Sequence, residues 1–200
     1  LMREVKAQLE SWPAWLEAKT VVLAVSGGVD SMVMLRLMHE LNQLRQYAHL
    51  QLVVAHFNHK LRPESDNEAV AIKEIVAEYG CIYFATEWGE PAATNVEAQA
   101  RDARYQFFAE VIRTTEADVL MTAHHLNDVA ETFLMRMTRG TSIRGLQGIR
   151  GCYQRLMSDP SGHTVMPTII RPFIGVTKAE LEAYAEKFNV TYFEDASNYM

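Results

Sequence analysis

Hydrophobic residues along the chain fall into short runs that alternate with longer stretches in which they recur at helical spacing. The short runs are rich in β-branched residues, and their nearly continuous hydrophobicity is typical of strands buried on both faces of a parallel sheet. On this basis five strands are predicted, over residues 21–25, 50–57, 81–86, 118–124 and 165–170.

The stretches between these strands predict helices. Apolar residues recur at helical spacing over residues 69–79, where Gly80 is expected to end the helix, and again over residues 96–111. A last helix is predicted over residues 178–188, and a first one over residues 5–18, interrupted by Pro13, is expected to be peripheral. The alternation of strands and helices predicts an α/β fold with a doubly wound, mostly parallel five-stranded sheet and helices on both faces.

The composition favours one domain spanning residues 1–200. Hydrophobic residues make up 48% of the chain, which is enough for a single well-buried core. There is no run of about eighteen apolar residues and no signal-like leader, so we expect a cytoplasmic protein without a membrane span. The two cysteines, Cys81 and Cys152, lie far apart and form no Cys-x-x-Cys pair. This argues against a disulfide scaffold and against a sulfur-held metal cluster.

The formal net charge of −6 restricts how the chain could bind nucleic acid. Proteins that mainly grip nucleic acid usually carry an obvious positive excess. Either nucleic acid is not the partner, or the basic contacts are local, or they are made by residues outside this chain.

The first predicted strand runs directly into the sequence SGGVDS, followed by a strongly apolar helix. In a sheet of this kind ligands bind at the carboxyl ends of the strands, so this loop is a candidate site. Gly27 and Gly28 let backbone N–H groups face an anion, and a bridging Mg²⁺ would offset the charge of Asp30. The alternative is an ordinary strand–helix turn capped by serine and aspartate. The candidate phosphate loop comprises Ser26, Gly27, Gly28, Val29, Asp30 and Ser31.

The loop has no Gly-Lys-Ser/Thr and is therefore not a Walker A motif. It resembles the SGGxDS pyrophosphate loop of the N-type ATP pyrophosphatases, which implies that ATP is cleaved between its α and β phosphates. Further stretches, in their order behind this loop, resemble the tRNA(Ile)-lysidine synthetase family. They read HFNHKLRPES (56–65), NVEAQARDARYQFF (95–108), AHHLNDVAETFLMRMTRG (123–140), RPFIGVTKAEL (171–181) and YFEDASN (192–198).

The resemblance implies an N-terminal catalytic domain, with the family's C-terminal tRNA-binding domains absent from this chain. The carbonyl of the wobble cytidine in the CAU anticodon of tRNA(Ile) would attack the α phosphate of ATP. The ε-amino group of L-lysine would then displace AMP from the adenylated carbon. Where the family often has two successive aspartates, this chain has Asn127 followed by Asp128. A homodimer is one assembly that we consider for this chain.

Two carboxylates beside a phosphate loop need a cation, and Mg²⁺ held by Asp30 and Asp128 meets that need. If a helix begins near residue 125, then Asp128, Glu131 and Thr132 share one of its faces. The alternative is an acidic first turn that merely favours the helix dipole.

Histidines follow two of the predicted strands. His124 and His125 are candidates for contact with the adenylate or for proton transfer near neutral pH, against a purely structural role. His56 and His59 are assigned to ATP contacts and loop structure in preference to zinc, because no third ligand has suitable spacing. By analogy with the superfamily, adenine is expected against the backbone of Ala24 and Val25, near His56 and Phe57.

Arginines supply the remaining candidates. Arg104, supported by Arg101, is assigned to hold the cytidine or its phosphate, against the alternative of a solvated face with a Glu97–Arg101 pair. The segment over residues 139–155 has four arginines, four glycines and no acid, so it is predicted to be a flexible loop that contacts substrate. A simple exposed loop is the alternative.

Three other functions are retained. A tRNA cytidine thiolase on the same core normally needs a suitable cysteine pair, which is lacking here. A synthetase for NAD or GMP would not need the arginine-rich segment. A non-catalytic nucleotide-binding module would leave the two acids without a role.

Overall fold

The computed structural model describes residues 1–58, 65–89, 95–138 and 149–193. The strands within these ranges are β1 (Thr20–Ala24), β2 (Gln51–Asn58), β3 (Ile82–Glu87), β4 (Val119–Met121), β5 (Cys152–Gln154), β6 (Met157–Ser158), β7 (Thr164–Val165) and β8 (Thr168–Ile170). The helices are α1 (Met2–Glu10), α2 (Pro13–Leu16), α3 (Val29–Asn42), α4 (Ser65–Glu78), α5 (Val96–Thr115), α6 (Leu126–Thr138) and α7 (Lys178–Lys187).

Five parallel strands form the main sheet in the order β3-β2-β1-β4-β8, and a sixth strand, β5, lies antiparallel to β8 at the edge. The mostly parallel sheet predicted from the sequence is therefore confirmed, with one strand added. That strand comes from the carboxyl end of the segment predicted to be a flexible basic loop. Residues 139–148 of that segment lie outside the described residues.

The strand predicted over residues 165–170 is two strands in the structure. Thr164 and Val165 pair with β6 in a small hairpin, while Thr168–Ile170 joins the main sheet. Pro167 lies between them, and proline cannot donate a ladder hydrogen bond, so the strand is interrupted there.

Both faces of the sheet are covered, as the continuous hydrophobicity of the strands predicted. Along β1, Val21 and Leu23 belong to one core, while Val22 belongs to the other. The first core is closed by α1, α2, α3, α4 and α7 and the second mainly by α5. Helix α4 ends where Gly80 adopts a φ of +67°, in agreement with the sequence prediction.

The expectation that the first helix is peripheral is wrong. Val5 and Leu9 of α1 are fully buried, and Trp15 of α2 is 2% exposed. Pro13 does not merely interrupt a helix: it occupies the first turn of a second one, where its missing N–H costs nothing. The break between the two helices lets Trp15 turn into the core. Trp12, just before it, packs so closely that a Cβ at Gly151 would lie 2.8 Å from its ring.

Helix α6 differs from the other long helices, because none of its residues is buried. Its first turn, however, lies at the carboxyl edge of the sheet, where Leu126 N donates to Val176 O over 2.8 Å. Among the described residues, no helix combines the length and the hydropathy that crossing a bilayer requires.

Replacing Leu9 with alanine should lower the free energy of unfolding by about 2–5 kcal/mol, because it removes a fully buried side chain from a close-packed core. Leu16→Ala is the matched control, since that side chain is 57% exposed and its loss should change stability by no more than about 0.5 kcal/mol. Urea titrations followed by circular dichroism would measure both values. Equal, small effects would contradict the burial of the first helix.

Candidate active site

A cleft of about 220 Å³ opens at the carboxyl ends of β1 and β4, between the amino ends of α3 and α6 and one side of α5. This is the edge of an open α/β sheet at which ligands bind. The cleft is lined by Ala24, Val25, Ser26, Gly28, Asp30, Ser31, Phe57, Arg104, Tyr105, Phe108, Thr122, Ala123, His124 and Asp128. Most of the residues singled out in the sequence therefore lie together.

A larger cavity, of about 770 Å³, lies at the opposite edge of the sheet. Asp118 in its lining already accepts the backbone N–H groups of Lys19 and Thr20, at 2.8 and 3.1 Å. This carboxylate therefore ties strands together, and the cleft at the carboxyl edge is the better candidate for chemistry.

The candidate phosphate loop curls around the hydroxyl group of Ser31. That oxygen accepts the backbone N–H groups of Ser26 and Gly27, at 3.2 and 3.1 Å, and donates to Gly28 O over 3.0 Å. Gly27 has a φ of +103°, a conformation that side chains rarely adopt. The glycine predicted to be needed for this turn is thus required by the backbone, and two successive N–H groups converge on one oxygen.

His56 supports the loop from below and does not line the cleft. Its Nδ1 lies 2.9 Å from Val25 O. A carbonyl can only accept, so this nitrogen carries the proton, and burial lowers the pKa of His56 and keeps the ring neutral. A direct contact between His56 and ATP stays a prediction. Within the described residues no group of three or more ligating side chains could hold a metal ion, and the other candidate zinc ligand, His59, lies outside them.

Asp30 and Asp128 approach the same imidazole from the first turns of α3 and α6. His125 Nε2 lies 3.6 Å from Asp30 Oδ2, and His125 Nδ1 lies 3.4 Å from Asp128 Oδ2. The backbone N–H of His125 also donates to Asp128 Oδ2 over 2.7 Å, which caps α6. The hydrogen-bonding Asp30 carboxylate raises the pKa of His125, which favours the protonated ring between the two acids.

Three of the six buried side-chain polar atoms that lack a hydrogen-bond partner in the described residues lie in or next to this site. Among the described residues, Asp30 Oδ1, His125 Nδ1 and His56 Nε2 are all buried and make no hydrogen bond. Such atoms are uncommon in folded proteins and often indicate a role outside structure, including the binding of an ion. Asp30 Oδ1 thus offers a free acceptor next to the phosphate loop.

Asn127 occupies the position at which the resembled family often has an acid. Its Oδ1 accepts the backbone N–H of Lys178 over 3.1 Å, tying the start of α6 to the start of α7. Of the acidic face predicted on α6, only Asp128 lines the cleft, while Glu131 is exposed. At this position the chain therefore has a neutral side chain that joins two helices, where the family often has a negative charge.

His124 lines the cleft beside Thr122, whose Oγ1 lies 3.0 Å from His124 Nδ1. Burial, reinforced by the nearby guanidinium groups of Arg171 and Arg104, lowers the pKa of His124 to about 4. The ring is therefore neutral at pH 7 and suits hydrogen bonding to a ligand better than proton donation.

Arg104 projects into the cleft from α5, next to Tyr105. Burial lowers the pKa of Arg104, and among the described residues no carboxylate pairs with it. The Tyr105 ring is surrounded by guanidinium groups: those of Arg101, Arg104 and Arg155 lie 5.7, 5.9 and 3.9 Å from its centroid. Arg104 thus lies in the cleft, and its assignment to the cytidine or its phosphate stays a prediction.

Several residues of the site were not predicted. Tyr105 and Phe108 line the cleft one residue and one helical turn after Arg104, so the spacing on the helix could have indicated Phe108. Arg171 follows β8 directly, at the same edge of the sheet, and its guanidinium donates to Arg150 O over 2.8 Å. The rule on carboxyl strand ends could have indicated Arg171, whereas Tyr105 carried no signal of its own.

Some of the predicted contacts lie beyond what the structure describes. Arg139 and Arg144 fall outside the described residues. Arg150 and Arg155, from the same basic segment, are described and lie beside the cleft through their contacts with Arg171 and Tyr105.

Comparison with protein families identifies one whose profile covers residues 1–200 and is described as a PP-loop domain. The tRNA(Ile)-lysidine synthase of Enterococcus faecalis is 42% identical over 185 residues, covering 92% of this chain and 37% of that protein. The tRNA(Ile)-lysidine synthase of Lactiplantibacillus plantarum is 39% identical over 183 residues, covering 90% of this chain and 38% of that protein. The chain therefore spans little more than a third of the length of these curated relatives.

Solved structures with the same fold include a U34-tRNA thiolase, NcsA, from Methanococcus maripaludis with its [4Fe-4S] cluster. It superposes with a TM-score of 0.73 at 20% identity and covers 96% of this chain and 64% of that one. The NH3-dependent NAD synthetase of Campylobacter jejuni gives a TM-score of 0.53 at 12% identity, with 94% and 70% covered. At such identities the likeness shows the fold alone.

The lowered pKa of His124 should make the protein less stable in mild acid. Unfolding returns His124 to its ordinary pKa of about 6.5, so between that value and about 4 the unfolded chain takes up a proton that the folded chain does not. The free energy of unfolding should therefore fall as the pH is lowered through this range, and His124→Asn should remove part of the fall.

Urea titrations of both proteins at about pH 5 and about pH 7.5 would measure this difference. His49→Asn is the control, since His49 is exposed and the variant should keep the pH dependence of the parent protein. Parallel losses of stability in the parent protein and in His124→Asn would contradict the assignment.

Proposed function

Because the chain belongs to the PP-loop domain family, we propose that it is the catalytic domain of a tRNA(Ile)-lysidine synthase. In this proposal it adenylates the wobble cytidine of the CAU anticodon and joins the ε-amino group of L-lysine to it, releasing pyrophosphate and AMP. It is thus a ligase that forms a carbon–nitrogen bond. The observation that carries the proposal is that one cleft contains a phosphate loop, two carboxylates and an arginine with no carboxylate partner among the described residues. The choice of substrate rests on curated relatives that are named tRNA(Ile)-lysidine synthase and are up to 42% identical.

Membership of the family implies that the chain uses ATP. In the proposed complex, the backbone N–H of Gly28, which lines the cleft, would bind the β and γ phosphates. The N–H groups of Ser26 and Gly27, which donate to the Ser31 hydroxyl, would add to this when they exchange that partner for phosphate oxygens. The amino end of α3 adds a partial positive charge at the same place. Ala24, Val25 and Phe57, which also line the cleft, would contact the adenine.

The residues of the cleft fit a magnesium ion. Mg²⁺ is usually held by one or two carboxylates together with substrate phosphates and water. Asp30 Oδ1 is buried without a partner, and Asp128 lines the same cleft from α6. In the proposal these two side chains hold the ion, which would neutralise charge on the phosphates and polarise the α phosphate. His125 keeps both carboxylates in position.

Arg104 is proposed to bind the cytidine or its phosphate. The guanidinium of Arg104 is half-buried and has no carboxylate partner among the described residues, so an anionic or polar ligand would stabilise its charge. Its planar array of N–H donors suits both a phosphate and the edge of a base. The aromatic rings of Tyr105 and Phe108 beside it offer apolar surface on which an unstacked base could lie. His124, being neutral, is proposed to donate or accept a hydrogen bond at the reacting nucleotide.

The net charge of −6 is unusual for a chain that binds nucleic acid, and the distribution of charge at this edge of the sheet bears on that point. The guanidinium groups of Arg101, Arg104 and Arg155 gather around Tyr105, at the mouth of the cleft. This cluster supports the alternative in which the basic contacts with nucleic acid are local. A cytoplasmic location and a homodimer remain further parts of the proposal.

The cysteines argue against the thiolase alternative, even though a thiolase shares the fold. Cys81 directly precedes β3 and Cys152 lies in β5, at opposite edges of a six-stranded sheet. Five strand spacings of about 4.8 Å place them roughly 24 Å apart, too far to share a disulfide or a cluster. Burial raises the pKa of Cys81 to about 11, which leaves it as an unreactive thiol at neutral pH.

The full-length protein, incubated with ATP, labelled lysine and a transcript of the minor isoleucine tRNA, should incorporate the label into the tRNA. Replacing both cysteines with serine should leave this activity unchanged, because neither thiol belongs to the cleft. Incorporation of sulfur in place of lysine, or loss of activity in the double-serine variant, would favour the thiolase alternative.

Matched carboxylate variants test the metal assignment in the same assay. Asp30→Asn and Asp128→Asn should each reduce pyrophosphate release by about 100-fold or more, since a metal ligand contributes several kcal/mol to charge stabilisation. Asp102→Asn, on the exposed face of α5, should keep the activity of the parent protein. Normal pyrophosphate release by either of the first two variants would refute their role.

A further inference from the structure

The chain after α7 returns to the phosphate loop. Beyond the helix, Asn189 adopts a φ of +50° and Val190 N donates to Ala185 O over 2.9 Å, which turns the chain back along the protein. Val190 and Thr191 then pass beside α3 and α4. At the end of this path Phe193 N donates to Gly27 O over 3.0 Å. The phosphate loop is thus contacted directly by a segment that lies 166 positions further along the sequence.

The side chain of Phe193 packs on the same glycine. A Cβ built on Gly27 would lie 3.3 Å from Phe193 Cδ2 and 3.1 Å from Ile72 Cδ1 of α4. Phe193 is half-buried and also packs against the core on the side of α3 and α4. The apolar ring therefore fixes the segment in the position from which its backbone N–H reaches the loop.

The bond to Gly27 O controls the direction of a neighbouring donor. In a trans peptide the carbonyl oxygen of one residue and the N–H of the next point in opposite directions. Holding Gly27 O toward Phe193 therefore turns the N–H of Gly28 away from Phe193. This N–H donates to Ser26 Oγ over 3.4 Å, and both residues line the cleft. Similar bonds hold the carbonyls on either side: Val25 O by His56, and Gly28 O by Ser31.

We propose that Phe193 is a positioning residue that holds the phosphate loop in the conformation that receives the diphosphate of ATP. The inference rests on the proposed function, because it assumes that the loop binds this part of the nucleotide. Phe193 itself does not line the cleft and is not a catalytic residue. Without the Phe193 ring, the backbone of Gly27 and Gly28 could adopt other conformations. Only a fraction of the molecules would then present the Gly28 N–H to the ligand. Affinity for a ligand falls in proportion to that fraction.

The test compares two nucleotides that differ only in the diphosphate. Binding of AMP and of the uncleavable α,β-methylene analogue of ATP, both with Mg²⁺, is measured by calorimetry on the full-length protein. Phe193→Ala should weaken binding of the ATP analogue by about tenfold or more, and leave AMP within about twofold, because AMP does not reach the loop. Phe193→Leu, which keeps an apolar contact, should restore most of the lost affinity.

Phe188→Ala is the matched control. Phe188 is an aromatic residue of the same region that is 42% exposed, and its ring lies 4.4 Å from the ring of Tyr184 at a tilt of 38°. It should bind both nucleotides like the parent protein. If Phe193→Ala loses affinity for both nucleotides equally, or for neither, the positioning role is wrong. If the parent protein itself binds the analogue no more tightly than AMP, the proposed diphosphate site fails instead.

Discussion

The parallel pairing of β1 with β4 is the constraint on which the candidate site depends. Leu23 pairs with Met121, so both strands end at the same level and release their loops side by side. One loop is the glycine turn into α3 and the other is the histidine pair before α6. Asp30 and Asp128 therefore lie on either side of the His125 imidazole. They are 98 positions apart in the sequence. Neither acid could be placed there without the strand register.

Differences in burial and in neighbouring charges give the histidines of the site different properties. His56, His124 and His125 are three histidines at one edge of the sheet, and each has a different environment. The first is a neutral support under the loop, the second a neutral side chain in the cleft, and the third a ring between two carboxylates. A chain with a net charge of −6 likewise places several arginines at this edge, which localises its affinity for anions.

The sequence predicted those features that depend on local patterns. Continuous apolar runs predicted the buried strands, and Gly27 and Gly28 predicted a turn that the φ of +103° at Gly27 requires. Features that depend on distant contacts were not predicted. Burial of Leu9 and the strand at Cys152–Gln154 arise from packing against elements far away in the chain, and the same holds for Phe193 on Gly27. No short window of sequence carries that information.

A crystal structure of the protein with the α,β-methylene analogue of ATP and Mn²⁺ would test the central claim most directly. The account predicts the β and γ phosphates against the backbone of residues 26–31. It also predicts an anomalous peak within about 2.2 Å of carboxylate oxygens from both Asp30 and Asp128. A nucleotide bound away from this loop, or a metal that neither carboxylate touches, would contradict it.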